Sequence, residues 1–307
     1  MLHPRHQVIK LYRLAVWTST QQAILDKALY KCTHYQNKNI KIKSCFHDRM
    51  LVDHDRQIAA CLIQKTGETS WKVVMANNTN NENKIPLSQN PKSWIHSRVK
   101  SFGLHVEMYS EKLANYSKFM VVRHPLDRLL SAYYDKAFPH FMGKRRFISA
   151  MYGNISEYAL SHFHSNDSIT QQDVENYNAT LEEFAHYTLG HPNNHWDDTL
   201  IKCGHCFIDY DYILRLETMD IYAVKVLSRH YPNVPSLPAY NSMRKTSAAQ
   251  NIATSKTLTE FQKLNQSLIA QLTEKYKLSM DLFGYYYDDN SQSAYCSLKG
   301  EHGENCC

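Results

Sequence analysis

An apolar run that ends in a turn of small and hydroxylated residues restricts this chain to folds in which a strand leads directly into a helix. The segment "MLVDHDRQIAACLIQ", residues 50–64, contains two groups of apolar residues, and the second group is a continuous run. A short continuous apolar run is typical of a strand that is buried on both faces. The turn that follows it opens a helix, which the pattern predicts from Thr69 to Ala76.

A second strand and helix follow in the same order. "KFMVVR", Lys118 to Arg123, predicts the strand. Pro125 stands where a helix starts well, because the N–H that proline lacks is not needed at the first helical position. Leucines and tyrosines then recur at spacings of three and four residues through "LDRLLSAYYDKAF", as a core-facing helix requires.

Two later segments also predict helices. "ATLEEFAHYTLG", Ala179 to Gly190, has Thr180 as its N-cap and Glu183 as the capping-box partner. A stripe of leucine and phenylalanine predicts a long final helix from Leu258 to Tyr276. Because strands alternate with helices, we predict an α/β fold in which a central parallel sheet is flanked by helices.

Composition and charge agree with a globular domain that binds an anion. Apolar residues make up 43% of the chain and aromatic residues 12%, which is ample for a core. The formal net charge of +6, with 17 histidines, favours nucleotides, polyanionic glycans, nucleic acid or acidic membranes as partners, without choosing among them. We predict one domain over residues 49–288, between an N-terminal stem (1–48) and a C-terminal tail (289–307).

The turn "QKTGETSW" has the composition of a phosphate-binding loop. A strand that ends in a turn and opens a helix aims backbone N–H groups, and the positive end of the helix dipole, at one point beyond the sheet. Lys65 adds a full positive charge, and Gly67 permits backbone angles closed to other residues. Hydroxyl donors come from Thr66, Thr69 and Ser70. The residue order is not that of a Walker A loop, and a purely structural turn is an equal alternative.

A second candidate anion site lies in "VVRHPLDRLLSAYY". Arg123 ends the predicted strand, and Ser131 follows eight residues later, just over two helical turns along the next helix. A guanidinium binds phosphate oxygens through two parallel N–H bonds, and a serine hydroxyl adds a third donor. A surface salt bridge to Asp127 is the alternative. Two anion sites on neighbouring strand ends suit a nucleotide with phosphates at its 5′ and 3′ positions.

These segments resemble those of a known family. "CLIQKTGETSWKVVM" is similar to the 5′-phosphosulfate loop, and "VVRHPLDRLLSAYYDKAF" to the 3′-phosphate motif, of Golgi carbohydrate sulfotransferases. The similarity is to the group that contains the chondroitin and dermatan 4-O-sulfotransferases and the sulfotransferase of the natural-killer glycan epitope. The resemblance continues with further family elements, which occur in the same order in this chain: "LEEFAHYTL", "NNHW", "CGHC", "DYDYILRLETM" and "YKLSMDLFGY". The resemblance runs from about Met50 to Tyr287.

The resemblance implies a P-loop-like three-layer fold, with 3′-phosphoadenosine 5′-phosphosulfate (PAPS) as donor substrate and no metal. It implies an acidic chondroitin-like or dermatan-like glycan as acceptor rather than nucleic acid. The basic run Lys144 to Arg146 is a candidate contact for that glycan, or else a solvated face. Donor binding falls on Lys65, Thr66, Gly67, Glu68, Thr69, Ser70, Trp71, Arg123 and Ser131.

Three residues depart from the family pattern. Gln64 stands where proline is usual, Glu68 where a small residue is common, and His124 where an acid is common. A carboxylate beside a phosphosulfate is repelled unless it points away or pairs with Lys72. These departures motivate the alternative of a catalytically silent glycan-binding relative. A nucleotide kinase is a third alternative, which the missing Walker lysine and the lack of an obvious metal-binding carboxylate pair disfavour.

Sulfuryl transfer needs a base for the acceptor hydroxyl and positive charge on the departing oxygen, and its chemistry requires no metal. Lys65 is the candidate for the charge, or else it only binds the donor in the ground state. His195 in "NNHWDD" is the first candidate for the base, with Asp197 or Asp198 orienting its ring, unless the His-Trp pair only packs a loop. His105, before the second strand, is the other candidate.

Cysteines and glycosylation sequons indicate an oxidising compartment, and the resemblance implies the Golgi lumen and a type II membrane protein. The chain has eight cysteines and six sequons, at Asn77, Asn115, Asn154, Asn166, Asn178 and Asn265. We expect a disulfide between Cys203 and Cys206 rather than a zinc site with His195 or His205, and a second bridge that involves Cys32, Cys45 or Cys61. No transmembrane segment is visible, so we expect the anchor to be missing or unrecognised.

Overall fold

The computed structural model describes residues 49–80, 82, 84–85, 95–108, 110–137, 150–164, 168–198, 203–204, 208–238 and 259–287. These residues fall into two compact units. The first unit contains the described residues of 49–123, 203–238 and 281–284, and the second contains those of 124–198, 259–280 and 285–287. The predicted stem and tail and the basic run 144–146 lie outside the described residues.

The first unit is built on a five-stranded sheet. The strands are β1 (Arg49–Asp53), β2 (Ile58–Cys61), β3 (His105–Met108), β4 (Ser117–Val122) and β5 (Tyr212–Arg215). They are ordered β3-β1-β2-β4-β5 across the sheet. β2, β4 and β5 are parallel, whereas β1 is antiparallel to both β2 and β3.

The predicted α/β class is confirmed, and the parallel sheet consists of β2, β4 and β5. β1 and β3 form an antiparallel edge instead of extending the parallel sheet. The reason is the connection between β1 and β2, a turn over residues 54–57. Parallel neighbours need a crossover of a dozen or more residues, so strands this close in sequence pair as a hairpin.

Helices account for most of the remaining described residues. They are α1 (Glu68–Asn78), α2 (Ile95–Arg98), α3 (Pro125–Lys136), α4 (Ala150–Phe163), α5 (Gln171–Asn176), α6 (Leu181–Gly190), α7 (Met219–His230) and α8 (Gln266–Phe283). Short 3-10 turns occupy Val99–Phe102, Glu111–Leu113 and Leu216–Thr218. Among the described helices, none combines the length and the apolar character that a membrane span requires.

The core of the first unit lies between α1 and the sheet. Trp71 of α1 is fully buried, and its ring centroid lies 4.6 Å from that of Phe119 on β4. The same cluster contains Leu214 of β5 and Val226 of α7. Burying a large apolar side chain contributes about 2–3 kcal/mol, so this cluster fixes α1, and the turn before it, against the ends of β2 and β4.

Side chains cap the N-termini of several helices of the second unit, among them α6 and α3. The predicted capping box of α6 is confirmed, because Thr180 Oγ1 accepts the Glu183 N–H and the Glu183 carboxylate accepts the Thr180 N–H at 2.7 Å. At α3, the buried His124 accepts the Leu126 N–H on Nδ1 at 3.2 Å and donates from Nε2 to the Tyr286 carbonyl at 3.0 Å. A neutral imidazole therefore caps α3 at the position where the resemblance described above predicts an acid.

The final helix starts and ends later than predicted. It spans Gln266–Phe283, whereas the prediction was Leu258 to Tyr276. Asn265 sets its start, because Asn265 Oδ1 accepts the Ser267 N–H at 2.8 Å, the bond of a helix N-cap. Its apolar stripe continues to Met280, which is buried, so packing carries the helix beyond the predicted end.

The disulfide within the described residues joins Cys61, the last residue of β2, to Cys203. Their Cα atoms lie 5.7 Å apart across a sequence separation of 142 residues, and both side chains are buried. The predicted pairing of Cys203 with Cys206 is therefore wrong, and a zinc site that uses the Cys203 thiolate is excluded as well. Spacing in the sequence does not reveal connectivity, and here the fold brings together two distant cysteines.

Candidate active site

The turn between β2 and α1 has a strained backbone. Gly67 is the N-cap of α1, with φ 84° and ψ 17° in the left-handed region that glycine adopts at no steric cost. Lys65 lies in the same region with φ 71°, which is uncommon for a residue with a side chain. Strain of this kind costs about 1–3 kcal/mol and clusters at functional sites.

The hydroxyl residues of the turn have different surroundings. Thr66 is buried and its hydroxyl donates to the Ile63 carbonyl at 2.8 Å, so this group closes the turn. Thr69 and Ser70 belong to the first turn of α1, where the backbone amides create a positive end. Trp71, by contrast, packs its side chain in the core, and we do not include it in the donor site.

Glu68, the first residue of α1, forms an ion pair with Lys72 one helical turn later. Both side chains are largely buried, at 10% and 12% exposure. The carboxylate also lies at the positive end of the helix dipole, which stabilises it. Of the two ways in which Glu68 could be tolerated beside an anion, the structure shows the pairing with Lys72.

Arg123 follows the end of β4 and contacts the turn directly. Its Nη1 donates to the Lys65 carbonyl at 3.1 Å, because the ends of β2 and β4 are parallel neighbours. Its Nε is buried and has no hydrogen-bond partner among the described residues. A buried donor without a partner is costly and is typically satisfied by a ligand or a water. The structure thus brings two of the sequence-predicted residues, Lys65 and Arg123, together at one end of the sheet.

His105 lies elsewhere on the same sheet. It starts β3 and is paired with Val52 of β1, which in turn is paired with Ala59 near the start of β2. The Lys65 turn follows the other end of β2. His105 is therefore separated from the turn by two strands across the sheet and by the length of β2 along it.

His195 and Ser131 belong to the second unit. Ser131 lies half-buried on α3, and His195 lies half-buried in the loop that follows α6. The neighbouring Trp196 anchors this loop, because it is buried against Phe184 and its indole N–H donates to the His191 carbonyl at 2.7 Å.

A buried arginine that the sequence analysis did not single out holds the same loop. Arg128 of α3 is 2% exposed, and its guanidinium donates to the Asp197 carbonyl and, at 2.9 Å, to the Asn194 carbonyl. These two bonds flank His195. The available signal was an arginine that directly precedes the apolar pair Leu129 and Leu130 within α3.

Side chains of α8 complete the support of this loop. The Tyr276 hydroxyl donates to the Trp196 carbonyl at 2.7 Å, and the Ser279 hydroxyl donates to the Asp198 carboxylate. Burial lowers the pKa of Lys275, which donates to the Thr188 carbonyl, and raises the pKa of Tyr276 well above its ordinary value. The loop is therefore positioned by α3 and α8 through main-chain and side-chain hydrogen bonds.

A cavity of about 290 Å³ in the second unit contains none of the predicted site residues. It is lined by Asn154, Glu157, Tyr158, Ser161, Tyr187 and His191. The rings of Tyr187 and His191 stack there with centroids 4.1 Å apart. We assign no part of the reaction to this cavity.

The comparisons with known proteins agree with the motifs. The model of the Sulfotransferase family matches residues 48–286. Carbohydrate sulfotransferase 10 of Xenopus laevis is 25% identical over 259 residues, 78% of this chain and 67% of the relative. Carbohydrate sulfotransferase 10 of Rattus norvegicus is 25% identical over 94% of this chain and 78% of the relative, and carbohydrate sulfotransferase 11 of Danio rerio is 25% identical over 77% and 66%. No solved structure matches the chain.

Proposed function

The chain belongs to the sulfotransferase family, and from this premise we propose that it transfers a sulfuryl group from PAPS to a hydroxyl of a glycosaminoglycan or related glycan. The acceptor class we propose is chondroitin or dermatan, with transfer to the 4-hydroxyl. The observation that carries the proposal is the contact between Arg123 and the Lys65 carbonyl, beside a guanidinium N–H that is buried without a partner among the described residues.

The donor requires two anion sites, and the first unit has suitable groups for both. In the proposal, the Lys65 ammonium and the start of α1 bind the 5′-phosphosulfate, and Arg123 binds the 3′-phosphate. The left-handed Gly67 supports this assignment, because its φ of 84° turns the chain from β2 directly into the start of α1, whose first backbone amides are suited to a phosphate oxygen. Ser131 is proposed as a further donor to the 3′-phosphate.

The chemistry assigns one role to each candidate residue. In an in-line displacement, the bond between sulfur and the bridging phosphate oxygen breaks while a bond forms between sulfur and the sugar oxygen. The Lys65 ammonium stabilises the negative charge that develops on the departing oxygen. His195 accepts the proton of the sugar hydroxyl, which a histidine does well near neutral pH.

We favour His195 over His105 as the base because of their surroundings. His105 is at the end of the sheet where β2 begins, away from the Lys65 turn. His195 is in a loop that Arg128, Trp196 and Tyr276 hold in place, and such support is typical of a residue whose orientation matters.

The alternative of a catalytically silent relative loses part of its motivation. It was based on Gln64 and on the charge of Glu68 beside the donor, and that charge is compensated by Lys72. A buried, paired carboxylate repels an anion much less than a free one does. Gln64 is half-buried, and nothing in the structure explains why it stands where proline is usual.

The transfer assay tests the proposal directly. We expect sulfate from radiolabelled PAPS to enter desulfated chondroitin or dermatan, and disaccharide analysis to show 4-sulfated products. Desulfated heparan is the matched acceptor that should incorporate little. Glycan binding without transfer to any of the three acceptors would favour the silent relative, and transfer of phosphate from ATP in a magnesium-dependent manner would favour the kinase.

A location in the Golgi lumen belongs to the same proposal. The buried disulfide between Cys61 and Cys203 supports it, because such bonds persist in oxidising compartments. Several sequon asparagines are accessible, among them Asn115 and Asn154, which are exposed. A type II membrane anchor is also part of the proposal, by analogy with the family.

Removing the imidazole of His195 should slow the reaction without weakening donor binding. We expect His195→Ala to lower kcat by about 10²–10⁴-fold, the usual contribution of a general base, with the KM for PAPS changed less than about twofold. Steady-state kinetics with each substrate varied would measure both. Asn194→Ala is the matched control, because this neighbouring side chain is exposed and only its carbonyl is used by Arg128. Full turnover of His195→Ala would rule His195 out as the base.

A further inference from the structure

The edge of the sheet opposite the candidate active site carries a cluster of metal-ligating side chains. His54 begins the turn after β1, and His105 and Glu107 lie on β3. Because side chains alternate along a strand, His105 and Glu107 point to the same face. Antiparallel pairing sets His105 beside Val52 of β1, and the ring centroid of His54, in the turn after β1, lies 4.7 Å from that of His105. Two histidines and one glutamate therefore meet at one edge.

Their ligand atoms are close enough to share one ion. One atom from each of the three side chains lies within 4.8 Å of the others. His54 Nε2 is 2.8 Å from Glu107 Oε1, and His105 Nδ1 is 4.0 Å from the same oxygen. Zinc bonds of about 2.0–2.2 Å in tetrahedral geometry require ligand atoms roughly 3.4 Å apart. The observed spacings bracket that value.

The orientation of the His54 ring is fixed by a second contact. Its Nδ1 lies 2.9 Å from the Tyr116 hydroxyl, while Nε2 faces Glu107. Metal-binding histidines nearly always use the other ring nitrogen to hold such a partner, which sets the tautomer and the direction of the lone pair.

We propose that His54, His105 and Glu107 form a zinc-binding site. Two imidazoles and one carboxylate are a typical ligand set for zinc, whereas calcium and magnesium prefer sites made of oxygen ligands alone. The three side chains are 33–55% exposed, so a water molecule or an anion can occupy the fourth position. The bound ion joins β3, which is the edge strand, to the turn between β1 and β2. It therefore fastens the edge strand to the rest of the sheet.

This site is independent of the proposed sulfuryl transfer. It lies at the end of the sheet where β2 begins, whereas the Lys65 turn follows the end of β2. The zinc site could therefore exist in an active or an inactive protein. Its failure would leave the transfer proposal unchanged.

Calorimetric titration of the metal-free full chain with Zn²⁺ tests the site. We expect one tight site per chain, and we expect His54→Ala, His105→Ala and Glu107→Gln each to weaken it by at least about 100-fold. Tyr116→Phe should weaken it by roughly tenfold, as loss of a supporting partner does. The control is His162→Ala, which removes an exposed histidine from α4 in the other unit.

A spectroscopic probe distinguishes this site from others. Co²⁺ in place of Zn²⁺ should give the absorption of a tetrahedral site with nitrogen and oxygen ligands, and the signal should be lost in the three ligand variants. Zn²⁺ should also raise the melting temperature of the wild type and of the His162→Ala control but not that of His105→Ala. Undiminished binding in all three ligand variants, a thiolate charge-transfer band with Co²⁺, or no tight binding at all would overturn the proposal.

Discussion

Lys65→Ala is expected to lower kcat for sulfuryl transfer by about 10²–10³-fold, the cost of removing one preorganised group that stabilises developing charge. The ammonium is proposed to neutralise the departing phosphate oxygen, and the methyl group of alanine carries no charge that could do so. The loss should therefore appear mainly in kcat, since charge on this oxygen grows in the transition state. Transfer of radiolabelled sulfate under saturating donor and acceptor measures it.

Any effect of Lys65→Ala on the backbone must be distinguished from the effect of losing the charge. Its φ of 71° is strained for any residue with a side chain, and alanine retains this strain, so Lys65→Ala should unfold at nearly the wild-type temperature. Lys112→Ala is the matched control, because Lys112 is an exposed lysine of the same unit outside the turn. A Lys65→Ala enzyme with wild-type kcat and a raised KM for PAPS would show that this lysine only binds the donor.

The local parts of this fold were predictable because the deciding interactions are close in sequence. The strand–turn–helix order around Gly67 depends on a continuous apolar run and a small residue. The capping box of Thr180 and Glu183 spans three residues. For Glu68, the sequence predicts either that the carboxylate points away from the anion or that it pairs with Lys72. The pairing is possible because residues four apart on a helix are neighbours.

The parts that could not be predicted depend on contacts between distant residues. The antiparallel edge of the sheet requires β3 to pair with β1 across the 51 residues that separate them, and β3 carries no strong apolar pattern. The position of His105 follows from that pairing alone. The role of Arg128 could not be predicted for the same reason. Arg128 donates hydrogen bonds to the carbonyls of Asn194 and Asp197, and only the fold brings these carbonyls next to it.

The candidate site also has parts that the sequence predicts and parts that depend on the fold. Lys65 and Arg123 were identified from motifs, but the hydrogen bond between Arg123 Nη1 and the Lys65 carbonyl is a product of the parallel pairing of β2 and β4. The support of His195 involves Arg128 on α3, Tyr276 on α8 and Trp196 in the same loop. A motif identifies candidate residues for substrate binding, whereas the contacts that position these residues depend on the fold.

Breaking the bond between Cys61 and Cys203 is expected to lower the free energy of unfolding by about 2–5 kcal/mol. The bond closes a loop of 142 residues, and a loop this long loses much conformational freedom in the unfolded chain when its ends are joined. Cys61 also lies directly before the Lys65 turn, so a less stable end of β2 should reduce activity at temperatures where the wild type is still fully active. Urea unfolding of the Cys61→Ala/Cys203→Ala variant, followed by circular dichroism, measures the change.

The single variants provide the matched comparison. Cys61→Ala and Cys203→Ala should each lose as much stability as the double variant, because either one removes the same bond. Reductant should lower the urea midpoint of the wild type toward that of the variants and should lower that of the double variant by less. The steepness of the transition should change as well, since an unfolded chain without the bond exposes more surface. Equal midpoints for the oxidised wild type and the double variant would mean that these buried cysteines contribute packing alone, and the oxidising compartment proposed for the protein would then lose its structural support.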